Sequence, residues 1–146
     1  MRWRIVAVGK PALPWARDAV SDYQSRINRT TKIELIYLRD EGRDRTERAM
    51  LALVEKSLCV VLDERGKHMR STALAKWIED QELTGTKNVS MLIGGADGLG
   101  ERIRSAGHAV WALSHFTLQH ELALAVCLEQ IYRAYAIIRG GPYHRE

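Results

Sequence analysis

Two stretches of this sequence carry residue types and spacings suited to chemistry. The apolar run Val89-Ser90-Met91-Leu92-Ile93 empties into Gly94-Gly95-Ala96-Asp97-Gly98-Leu99-Gly100, four glycines in seven residues. Glycine gives the backbone access to positive φ and removes the side chains that would keep a ligand from the main chain, so this stretch reads as a ligand loop. It does not match G-x-G-x-x-G and lacks the Gly-Lys-Ser/Thr ending of a phosphate loop. Neither dinucleotide nor nucleoside triphosphate binding is therefore indicated, and a tight strand-to-helix turn is the plainer alternative. The second stretch is Tyr143-His144-Arg145-Glu146, which brings together a phenol, an imidazole, a guanidinium and a carboxylate. With no core to build there, these groups are expected to be free to meet a substrate; an unordered tail is the competing expectation.

Elements must position both stretches. Ile5-Val6-Ala7-Val8, Ile33 to Leu38, Leu58 to Leu62, Val89 to Ile93 and Ala109 to Leu113 read as strands. Helical stripes lie between them. Trp15, Ala19, Tyr23 and Ile27 recur every fourth residue after Pro14, Ala49, Met50, Leu53 and Val54 form a second stripe, and Leu74, Trp77 and Ile78 form a third behind Ser71. A last helix is expected from about Glu121 to Arg139. The charge-dense piece Arg39 to Arg48 reads as a solvated loop entering a helix. Alternating strands and helices imply an α/β fold, a mostly parallel sheet with helices on both faces. Ligands of such sheets bind beyond the carboxyl ends of the strands. Three strand exits carry unusual residues there: Asp63-Glu64-Arg65-Gly66-Lys67, the glycine loop, and Ser114-His115-Phe116-Thr117-Leu118-Gln119-His120.

At 146 residues the chain suits a single domain, 1–146. No run approaches the roughly 18 apolar residues of a membrane span, and Met1-Arg2-Trp3-Arg4 leads directly into a strand rather than a signal-peptide core, so a cytoplasmic protein without a membrane partner is expected. Cys59 and Cys127 lie in apolar runs without a second thiol or histidine at ligand spacing, which favours buried hydrophobes over a disulfide or a metal site. The formal net charge is +4, and the cations are mostly arginine. Guanidinium forks match phosphate oxygens, which tilts the expected partner toward a polyanion.

Several motifs recur together in one known group. Leu62-Asp63 with Gly66-Lys67, Leu92-Ile93-Gly94-Gly95 with Gly98, Leu113-Ser114 with Thr117-Leu118 and His120, Glu129-Gln130-Ile131-Tyr132-Arg133-Ala134, and Pro142-Tyr143-His144-Arg145-Glu146 resemble, in order and over essentially the whole chain, the ribosomal RNA large-subunit methyltransferase H (RlmH) family of the SPOUT class. The resemblance implies a homodimer with a C-terminal trefoil knot that holds S-adenosylmethionine and methylates N3 of a pseudouridine in helix 69 of 23S rRNA on the assembled ribosome. An unknotted sheet would be the physical default. The cofactor residues implied are Leu62, Gly94, Leu113, Ser114, His115, Phe116, Thr117 and Leu118. Tyr143, His144 and Arg145 are implied to act on the RNA, and no metal is involved.

The residue types agree with those roles. Methylating N3 of a uracil-like ring needs an aligned acceptor and a group that takes its proton. An imidazole titrating near neutral pH suits His144, a stacking or hydrogen-bonding phenol suits Tyr143, and a phosphate contact suits Arg145. Glu129 and Arg133, four apart, are expected to form an intrahelical salt bridge. His120 is expected either to serve first-turn donors of the last helix or to face the cofactor. Leu122, Val126 and Ile137 can form an apolar stripe for a two-fold contact. The family's usual Pro-Glu after the double glycine is Ala96-Asp97 here, its early arginine in the last helix is Leu124, and the segment between the second strand and second helix is shorter. A non-catalytic rRNA-binding module and a SPOUT enzyme with another RNA target are the alternatives.

Overall fold

The computed structural model describes residues 1–145; Glu146, the last member of the terminal tetrad, lies outside the described residues. Five strands, β1 (Arg2–Val8), β2 (Lys32–Leu38), β3 (Leu58–His68), β4 (Asn88–Ile93) and β5 (Ala109–Ala112), form one sheet in the order β2-β1-β4-β3-β5, and every pairing is parallel. Helices α1 (Pro14–Asn28), α3 (Ser71–Leu83) and α5 (His120–Ile138) cover one face, and α2 (Arg43–Val54) with α4 (Glu101–Ala106) covers the other.

Alternation along the strands divides two cores. Trp3, Ile5 and Ala7 of β1, Val60 and Leu62 of β3, and Val89, Met91 and Ile93 of β4 pack with Val20, Ile78, Leu128 and Ile131 of the three-helix layer. Their neighbours Val6, Val61 and Leu92 pack the other way, against Met50, Val54, Leu99 and Ile103. Both faces of each central strand are apolar, which is why these strands read as continuous hydrophobic runs rather than as alternating ones.

The expected strands and helices are all present, with four departures in detail. Trp15 does not point into the core; it is 50% exposed, and the buried face of α1 is carried by Ala16, Val20 and Ile27. Ser71 is the first residue of α3 rather than its cap, and its hydroxyl donates to Gln130 of α5 at 2.6 Å, tying two helices together. Strand β3 continues past Leu62. Both Leu62 and Lys67 are register partners of Trp111, so residues 63–66 loop outward between two stretches of pairing. Gly66 permits the return: a Cβ there would lie 2.6 Å from the Val110 carbonyl carbon.

The fourth departure concerns the charge-dense piece. It is not wholly solvated, because Thr46 and Glu47 are buried within α2. Both cysteines are buried and free, and burial pushes the thiol of Cys59 up to about 11 and that of Cys127 up to about 12. No helix among the described residues is long and apolar enough to cross a membrane, and none of their His, Cys, Asp and Glu side chains group as a metal site.

Candidate active site

The three unusual strand exits converge. A cavity of about 440 Å³ opens at the carboxyl ends of β3, β4 and β5, and Leu62, Gly94, Leu113, Ser114, Phe116, Thr117 and Leu118 all line it. His115 does not. Its ring stacks on His68 at 3.6 Å between centroids and 11° between planes, joining the loop after β5 to the end of β3. A smaller apolar hollow of about 70 Å³ shares Leu62 and Leu113 and is walled by Met91, Trp111 and Ile131.

The glycine loop is a tight reversal. Gly98 donates its N–H to the Gly95 carbonyl at 3.0 Å and takes φ +69°, a conformation that favours glycine. Gly94 is needed for a different reason: a Cβ there would come within 2.7 Å of the Gly98 carbonyl carbon. The missing side chain thus makes room for the loop itself, in addition to any ligand that approaches the main chain.

Helix α2 holds this loop from behind. The Glu47 carboxylate, on a residue only 4% exposed, accepts from the Gly100 N–H at 2.9 Å and faces Arg43 at 3.6 Å, while Arg43 donates to the Asp97 carbonyl at 3.1 Å. A run of charges gave no sequence signal that one member would turn inward. The spacing of Arg43 and Glu47, four apart, indicates their ion pair but not the burial of Glu47. Replacing Glu47 by Leu leaves the Gly100 N–H without its acceptor, at a cost of about 1–3 kcal/mol. The expected result is a lower melting temperature and cofactor binding weakened about tenfold by calorimetric titration, with Glu47→Gln restoring most of it. Equal binding by the Leu variant would remove this role.

A second brace crosses the cavity mouth. Thr117 donates to Glu64 at 2.7 Å, linking the outward loop of β3 to the loop before α5. Asp63 faces Arg104 at 3.5 Å, and Arg104 also donates to the Leu99 carbonyl at 2.7 Å. His120 lines the cavity; the cap of α5 belongs to Gln119, whose side chain accepts from the Leu122 N–H at 2.9 Å. Glu121 turns the other way. Its carboxylate accepts from the N–H groups of Leu13 and Ala12, and chiefly the Leu13 bond holds it below the usual carboxylate range.

The tail is not loose. Tyr143 packs edge-on against Tyr132 at 4.7 Å, and its hydroxyl lies 3.0 Å from that of Tyr23 and 3.1 Å from Glu129. Burial chiefly, then the Tyr23 hydroxyl and Glu129, push this phenol far above its ordinary range, so it stays protonated. The expected Glu129–Arg133 bridge is present at 2.6 Å and does more than brace the helix, since Arg133 lies over the Tyr143 ring at 4.8 Å and donates to His144 Nδ1 at 3.2 Å. Arg145 is exposed. Glu129 and Arg133 lie 9 and 13 residues beyond His120, about 14–20 Å along α5, so the tail docks well away from the cavity of its own chain.

A family model described as a predicted SPOUT methyltransferase matches residues 1–144. The chain belongs to the SPOUT methyltransferase family. Its relatives include the ribosomal RNA large subunit methyltransferases H of Thermus thermophilus, 39% identical over 145 residues and 99% of each chain, and of Deinococcus radiodurans, 34% identical over the same span. That of an Acidovorax species is 38% identical and covers 100% of both chains. Among solved structures, a probable methyltransferase from Bordetella pertussis aligns over 91% of this chain and 95% of that one at a TM-score of 0.58 and 11% identity. A tRNA methyltransferase from Aquifex aeolicus aligns over 100% and 76% at 0.55 and 15%. These two show the shared fold. Membership of the SPOUT family also implies the C-terminal trefoil knot, in the part of the chain where β5 joins the sheet beyond β3 and α5 returns to the other face.

Proposed function

We propose that this SPOUT methyltransferase uses S-adenosylmethionine to methylate N3 of a pseudouridine in helix 69 of 23S rRNA, acting in the cytoplasm as a homodimer on the assembled ribosome. The observation that carries the reading is the convergence of three separate strand exits on one cavity, in a chain whose relatives are named as large-subunit rRNA methyltransferases. The cavity's chemistry fits the cofactor. Leu62, Ile93, Leu113 and Leu118 offer an apolar floor for a purine, and Asp63, Glu64 and Asp97 offer carboxylates near a ligand that bears hydroxyls and a positive charge. When bound, the cofactor supplies a methyl group already activated on a positively charged sulfur.

The chain's own residues then have two tasks, alignment and proton removal. Phe116, 83% exposed at the cavity rim, presents a face on which an unstacked base can lie. His144 takes the N3 proton. In the docked tail its Nδ1 accepts from Arg133, which can only donate, so a neutral ring carries its proton on Nε2. To serve as a base the imidazole must leave Arg133 and present Nδ1 to the RNA. Tyr143, protonated, donates to a base carbonyl, and Arg145 meets a phosphate.

Comparing rRNA from cells with and without this gene tests the reading. Mass mapping of nuclease fragments is expected to show one nucleotide in helix 69 lighter by a methyl group in the deletion strain, restored by the intact gene. Loss at another nucleotide would assign another RNA target, and no loss anywhere would leave a binding module.

The dimer is proposed on the outer face of α1 and α5. Leu122 is 37% exposed, Val126 and Ile137 are half-buried on the same side of α5, and Trp15 stands exposed on the neighbouring helix. Light scattering at micromolar concentration is expected to give twice the chain mass of 16.6 kDa, and a strict monomer that still methylates rRNA would end this part of the proposal.

A further inference from the structure

The amino ends of the strands, opposite the cavity, form a groove of about 480 Å³ between β1, β2, β4 and the C-terminal turn of α2. Four cations line it, Arg2, Arg4, Lys32 and Lys56, against one carboxylate, Glu34. Arg4 holds that carboxylate at 3.1 Å and donates to the Leu53 carbonyl at 2.8 Å. Arg2, Lys32 and Lys56 are exposed and make no ion pair among the described residues. The contrast with the α2–α4 face is sharp, since Arg43, Arg45, Arg48, Arg102 and Arg104 there each face a carboxylate.

The placement concentrates like charge. Arg2 and Lys32 are register partners on adjacent strands, which sets their backbones about 4.8 Å apart. Neighbouring like charges on adjacent strands repel, and among the described residues no carboxylate pairs with Arg2, Lys32 or Lys56. A line of phosphates would relieve that repulsion. The groove lining on β4 ends at Ser90 and the cavity is reached at Ile93, so the two are about 10 Å apart along the strand and open at its opposite ends. A large folded RNA can reach round the sheet to both openings.

We infer that this groove is a second contact for the rRNA sugar-phosphate backbone, which positions the enzyme on its substrate without reading sequence. The inference rests on the proposed rRNA substrate and adds a binding surface to it. Removing the three charges together, as Arg2→Gln, Lys32→Gln and Lys56→Gln, tests it, because all three residues are exposed and none forms an ion pair among the described residues. Binding is measured to naked 23S rRNA and to unmethylated assembled ribosomes across a salt series. With about 0.7–0.9 counterions released per phosphate contact, the slope of log affinity against log salt is expected to fall by about 2–3 for the triple variant. Affinity near physiological salt should drop at least about tenfold. Cofactor affinity and the single-turnover methyl-transfer rate at saturating RNA should not change.

An unchanged slope and affinity in a variant whose parent methylates rRNA would overturn the groove and leave the enzymatic reading standing. A parent that binds neither naked rRNA nor assembled ribosomes would overturn both. Loss of affinity confined to assembled ribosomes, with no change in the salt slope on either probe, would assign the groove to a ribosomal protein and overturn the RNA contact.

Discussion

Deleting Tyr143 to Glu146 is expected to abolish methyl transfer to rRNA, by at least about a hundredfold if His144 supplies general base catalysis, while cofactor affinity stays within about twofold. The reason is spatial. The tail docks on Tyr23, Glu129, Tyr132 and Arg133, whereas the cavity meets α5 at its first turn near His120 and Ala123. Removing the tail therefore leaves every cavity-lining residue in place. With the tail docked about 14–20 Å from its own cavity along α5, we propose that in the dimer it serves the site of the partner subunit.

Mixed dimers make that distinction measurable. When one protomer carries Gly94→Trp and the other lacks the tail, a shared arrangement puts both defects in one site and leaves the other whole, so about half the parental activity is expected. Silence from a confirmed heterodimer would place tail and cofactor on the same chain. A tail-less enzyme with full activity would remove Tyr143, His144 and Arg145 from the reaction altogether.

The second large effect is expected at Gly94. Even Gly94→Ala pushes a methyl group to within 2.7 Å of the Gly98 backbone, and Gly98 cannot yield easily because it sits at φ +69° and bonds back to Gly95. Overpacking of this kind costs about 1–3 kcal/mol. In a chain of this size that lowers the melting temperature by about 2–12 °C. Cofactor binding is expected to weaken more than tenfold in the Ala variant and to vanish in Gly94→Trp, as read by calorimetric titration. The core of α1, α3 and α5 is remote from the loop, so circular dichroism should stay native. Binding at full strength by the Trp variant would mean that the cofactor does not use this loop.

Much of the site was legible because local rules put it where a parallel sheet must put a ligand. Apolar runs long enough for buried strands, each followed by glycine or polar residues, marked β3, β4 and β5 and their exits. Leu62, Gly94 and the loop from Leu113 to Leu118 are named from the family motifs at those exits, and all of them but His115 line the cavity. Strand alternation does not say which helix lies on which face. Nor does it reveal that β3 resumes after an outward loop, because that depends on Gly66 lying against β5 from a distant part of the chain.

The sequence by itself determined the α/β class, the strand exits, the buried thiols and the Glu129–Arg133 pair, since each depends on periodicity or spacing within a few residues, and it carried the motifs that resemble the SPOUT class. Only the tertiary structure decided which charges and aromatic rings are used internally. Glu47, in a run of charges, is buried under the glycine loop; Trp15, on an apparent core stripe, faces outward; His115 stacks on His68; and Tyr143 and His144 rest on α1 and α5. The partners in these contacts lie from 11 to 120 residues apart. Short-range pattern fixes what a residue type can do, but the energy of a charge or a ring depends on what long-range packing brings beside it, and that is set only when the sheet and its helices close together.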